Sequence, residues 1–187
     1  MVWHMRCGYA MLSLVMWRIV WGFVGGYWSR FFSFVSTPLQ AWRYARQPLA
    51  QAHPVVGHNP LGAWSVLAIL SFLGLQALAG LFSDDQIATS GPLTARVSNA
   101  WVELATQWHT GPGKWALIAL VLLHLGSVFW YLRVRRINLL RPMLTGDKIL
   151  THPAPDSKDN KASRLLAGLL FLLCATSVGL LVASGPL

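Results

Sequence analysis

The chain has 187 residues, 55% of them hydrophobic and only 11% charged, with a formal charge of +9. A soluble domain of this length carries about a quarter charged residues, so a water-soluble globule is excluded. The mean hydropathy of +0.49 comes from long apolar runs, which make this an integral membrane protein of all-α class: one helical bundle of four transmembrane helices plus short interfacial helices.

The first span covers about residues 2–26, VWHMRCGYAMLSLVMWRIVWGFVGG. It is too long for a signal-peptide core and has no A-x-A cleavage site, so it reads as a retained helix. His4 stands at its start and Arg18 near its far end, fourteen residues on. At 100° per residue the two fall within ~40° of one face. Arg18 lies several residues inside the span and is expected to face the bundle, the alternative being snorkelling to the headgroups. His4 is either a ligand-type residue on that inward face or an interfacial histidine near a frayed terminus.

Residues 27–60 form an aromatic and then basic loop. Its centre, PLQAWRYARQPL, reads as a short interfacial helix. The loop ends in HPVVGHNPLG, where Asn59-Pro60 is a helix-start signal. His53 and His58 are expected at the surface or at the helix start; the functional alternative has His58 meeting a haem propionate or a quinone at the membrane boundary. The second span, about 61–82, holds Gln76 and several glycines, which is ordinary membrane packing.

Residues 83–114 are a polar connection. Asp84 and Asp85 suggest a paired-carboxylate site, but a solvated loop end is the expected reading. Residues 98–108 form a short amphipathic helix that brings His109 to the mouth of the bundle. The third span, about 112–132, carries His124. Histidine at membrane depth is costly and faces a bundle interior, a cofactor or an aqueous path. His109 and His124 are fifteen residues apart, up to ~22 Å along a helix, close to the spacing of two haems set one above the other across a bilayer. The basic segment 133–164 follows, Pro- and Asp-rich in its second half and expected to be flexible, with His152 exposed. The fourth span, about 165–184, has no ionisable group except Cys174 and reads as a packing or anchoring helix. Cys7 and Cys174 lie in separate spans with neither CxxC nor CxxCH, so neither a zinc site nor covalent haem attachment is supported.

Lys and Arg counts set the expected topology. The loop at 27–60 holds Arg30, Arg43 and Arg46, and the segment at 133–164 holds eight basic residues. The connection between them has only Arg96 and Lys114, against Asp84, Asp85 and Glu103. The positive-inside rule places the two basic loops in the cytoplasm and both termini in the periplasm. His4 and His109 then share the outer face, while His124 lies deeper. The basic residues sit beside spans and read as topology signals and contacts for anionic lipids, so no nucleic acid is expected.

WHMRCGYAMLSLVMWRIVWGFVG, GHNPLGAWSVLAIL, the two histidines bracketing the third span and INLLRPMLTGDK together resemble the bacterial cytochrome b561 / nickel-iron hydrogenase b-type cytochrome family, over roughly residues 1–150. Members of that family are di-haem membrane cytochromes passing electrons between quinones and a membrane or periplasmic partner. The resemblance implies that His4 matches the ligand of the family's second helix, and that His109 and His124 match the two ligands of its fourth. It also implies an upstream helix with a fourth histidine, which this sequence lacks. One haem b is therefore expected on His4 and His109, and a second on His124 if a missing ligand is supplied, with Arg18 facing a propionate of that inner haem. The implied setting is the bacterial inner membrane, with residues 1–150 as the cytochrome domain, 151–187 as a linker and extra helix, and a homodimer as a possible assembly. Two rival readings are a haem-free anchor subunit of a redox complex and a small transporter using His124 and Arg18. The second is disfavoured because the spans lack Asp and Glu.

Overall fold

The computed structural model describes residues 1–47, 56–147, 150, 153–157 and 159–185. Four of its helices are long and apolar enough to cross a membrane: α1 (Val2–Val24), α4 (Pro60–Leu81), α6 (Pro112–Arg133) and α8 (Lys161–Ala183). Between them lie α2 (Phe31–Phe34), α3 (Pro38–Arg46), α5 (Asn99–Thr110) and α7 (Leu140–Thr145). The chain is a helical membrane bundle with short connecting helices, as its composition requires.

The helix starts are written locally. The Asn59 side chain accepts the Gly62 N–H at 2.7 Å, and Pro60 takes the first helical position of α4. Thr37 and Gln40 close a reciprocal capping box on α3, again with proline at its start. The Asn160 side chain accepts the Ser163 N–H at 2.8 Å to start α8.

Helix α1 lies between α8 and α4, and α6 packs on the other side of α4. At one end of α8, Trp17 donates its indole N–H to the Ala167 carbonyl at 2.9 Å. At the other, Arg96 donates to the Ser184 carbonyl at 2.7 Å. Trp17 sits late in α1 and Ala167 early in α8, so the two helices run antiparallel.

The buried cluster Leu12, Leu81, Leu93 and Val178 ties α1, the end of α4, the following loop and α8 together. The loop is drawn beneath α4 by the Leu93 N–H donating to the Leu81 carbonyl at 3.0 Å. Leu81 is 2% exposed and is the largest fully buried side chain among the described residues. Leu81→Ala should therefore cost about 2–5 kcal/mol through lost contacts and a cavity. Thermal unfolding in detergent reads this, and an unchanged midpoint would mean that the cluster closes around the gap or does not hold the bundle together.

Candidate haem-binding site

His4 lies in the first turn of α1 and His109 in the last turn of α5, where the chain breaks at Gly111-Pro112 before α6. The C-terminal half of α5 descends beside α4. The Thr106 hydroxyl accepts the Asp84 N–H at 3.0 Å, and the Trp108 ring stands 6.2 Å from Phe72. That descent brings His109 to His4: the ring centroids are 5.8 Å apart and the planes are 79° to one another. Metal–imidazole bonds of about 2 Å put two imidazole centroids on opposite sides of one metal roughly 6 Å apart, so His4 and His109 are spaced as two residues that would hold one iron.

The tautomer of His109 follows from its neighbour. Its Nδ1 is 2.9 Å from the Gln76 carbonyl oxygen. A carbonyl can only accept, so Nδ1 carries the proton and the Nε2 lone pair is left for a metal. Such an outer hydrogen bond on a ligating histidine fixes ring orientation and raises ligand basicity. Gln76 also donates its side-chain N–H to the His109 carbonyl at 2.7 Å. The two contacts clasp His109 at its ring and at its backbone carbonyl. The ring reaches α4 because residue 80 is glycine: a Cβ there would stand 2.9 Å from His109 Cε1. Gln76 Oε1 and Trp108 Nε1 are buried without a hydrogen-bond partner among the described residues, leaving polar ends beside this histidine. No group of three or more His, Cys, Asp or Glu side chains among those residues fits a metal ion held by protein alone. Two facing imidazoles suit an iron whose remaining ligands come from a macrocycle.

A second cluster lies at the basic end. His58 precedes α4 and lies against Phe34, with ring centroids 4.7 Å apart and planes tilted by 35°. Burial pushes its pKa below the usual histidine value, and the charges of Arg18 and then His124 push it further down. Phe31 and Phe34, whose rings are 5.8 Å apart, link Arg18 of α1 to His58. The Arg18 guanidinium stands 5.1 Å over the Phe31 ring, with Nη1 buried and unpartnered among the described residues. The sequence placed His58 first at the surface or at the helix start, and it is exposed immediately before Asn59, which does the capping. The level of the GHNP segment against Arg18 was the signal available for the alternative. His53 and His152 lie outside the described residues.

Asp84 and Asp85 build a turn. The Asp85 carboxylate accepts the N–H groups of Ile87, Ala88 and Thr89 at 3.0, 2.9 and 2.8 Å. These bonds hold its pKa below the ordinary carboxylate value, so it stays ionised rather than serving as an acid.

The sequence profile of the prokaryotic cytochrome b561 family matches residues 1–146, which include α1 to α7 and all four of His4, Arg18, His109 and His124. The chain belongs to the prokaryotic cytochrome b561 family. No match was found among curated proteins or solved structures. As a prokaryotic cytochrome b561 it is a multi-pass membrane b-type cytochrome of electron transfer, and its cofactor is a b-type haem. Helix α8 lies beyond the matched residues but packs against α1 as part of the same bundle.

Proposed function

We propose that this cytochrome b561 carries electrons between the quinone pool and a membrane or periplasmic redox partner through a haem b held by His4 and His109. The supporting observation is the 5.8 Å approach of these two rings, one of them locked as the Nδ1–H tautomer by the Gln76 carbonyl. When bound, haem iron alternates between ferrous and ferric states and so accepts and passes one electron at a time. The chain's own part is positional. The Gln76 clasp aims His109 Nε2, and Gly80 leaves room for the ring.

His124 is the ligand proposed for a second haem where a further ligand is supplied, with Arg18 as counter-charge to a propionate there. The bilayer is the bacterial inner membrane, with both termini on the periplasmic side and the basic loops in the cytoplasm. Residues 1–150 form the electron-carrying part, and 151–187 supply the linker and the additional helix.

The test is reduction by a quinol. Purified protein in liposomes is mixed with a reduced short-chain quinone, and the b-type absorption band is followed. Reduction saturating with quinol concentration is the expected result. A haem that dithionite reduces but no quinol does would overturn the quinone assignment while leaving the cytochrome intact.

A further inference from the structure

We propose that the junction of α3 with the start of α4 is a binding site for one anionic phospholipid. Helix α3 rests on the first turns of α4 and leaves a cleft of about 280 Å³ between them. Ala41 and Ala45 form a shallow floor, and Trp42 and Trp64 stand as its two aromatic walls. Trp64 is fixed by donating its indole N–H to the Ser36 carbonyl at 3.2 Å, and α3 is fixed by its capping box. The cleft is apolar, and its outer members are open: Trp42 is 57% exposed and Leu61 47%. In a helix lying at a membrane boundary, such a surface receives acyl chain.

Charge selects the headgroup. The Arg46 guanidinium stands 4.2 Å over the Trp42 ring, which holds a cation at the rim of the cleft. Arg43 lies in the same last turn of α3. The sequence has no Asp or Glu before Asp84, and among the described residues neither arginine forms an ion pair with a carboxylate. Asp159, in the other basic segment, is already paired with Arg164 at 2.8 Å. An apolar slot with an uncompensated, pre-positioned cation at its mouth matches a lipid phosphate above acyl chains. A neutral quinone would fill the slot and leave the cations unmatched. Basic side chains near an anionic bilayer surface each strengthen binding by about fivefold.

The test is native mass spectrometry of the full chain released from nanodiscs of equal phosphatidylglycerol and phosphatidylcholine, comparing wild type with Arg46→Gln, Ala41→Leu and Arg141→Gln. One retained phosphatidylglycerol per chain is expected in wild type. Retention should fall about fivefold in Arg46→Gln, fall also in Ala41→Leu, which fills the floor, and stay unchanged in Arg141→Gln. Arg46 is exposed, so its variant keeps the fold even if Ala41→Leu does not. Equal retention of both lipids, an Arg141→Gln loss as large as that of Arg46→Gln, or a co-purified quinone displaced by Ala41→Leu would each overturn the site. None of these readouts depends on haem.

Discussion

His109→Ala should remove one haem per chain, and His4→Ala should remove the same one. Each variant deletes one of two facing imidazoles, and an iron left with a single protein ligand loses both affinity and its low-spin b-type spectrum. Haem per chain and reduced-minus-oxidised spectra of the purified variants are the measurements. Loss shared by the two variants but not by His124→Ala supports a bis-histidine site on His4 and His109. A haem lost with His124 alone would move the site to the basic end, where Arg18 and His58 stand. Well-folded wild-type protein without haem would favour the anchor-subunit reading.

The second large effect is expected from a residue that binds nothing. Gly80→Val keeps every proposed ligand yet places side-chain carbon where the His109 ring now lies, since even a Cβ would come within 2.9 Å of Cε1. Overpacking of this kind costs about 1–3 kcal/mol, and if it falls entirely on the ring position haem affinity drops roughly 5- to 160-fold. Helix propensity acts the other way, because replacing a helical glycine with alanine stabilises the helix by up to about 1 kcal/mol. Gly80→Ala should therefore weaken haem binding while holding or raising the stability of the haem-free protein. Haem titration together with thermal unfolding separates the two effects. Unchanged haem affinity in both variants would mean that the ring does not rest on α4 when haem is bound.

The order of spans could be read from the chain because a bilayer imposes it. Runs of about twenty apolar residues have one stable form in lipid, a helix whose backbone bonds close internally. The start of α4 was equally local, written in Asn59-Pro60; the Thr37 and Asn160 caps of α3 and α8 were not read, and α8 starts at Lys161, ahead of the expected residue 165. The grouping of His4 with His109 was legible for a coarser reason: counting basic loops put both residues at one end of the bundle. The helix carrying His109 was less so. The sequence ended it at Trp108, whereas α5 continues to Thr110 and its last turn meets α4 at Gln76.

Sequence alone thus determined the class, the span order and which histidines share an end, because hydropathy, capping and charge bias are properties of neighbouring residues. Only the tertiary structure decided that Gln76 clasps His109 and that Gly80 makes room for its ring. Gln76 and Gly80 read as ordinary packing residues because their roles arise on contact with a segment some thirty residues away. No local pattern encodes which carbonyl on one helix will meet an imidazole on another; the packing of α5 against α4 sets it.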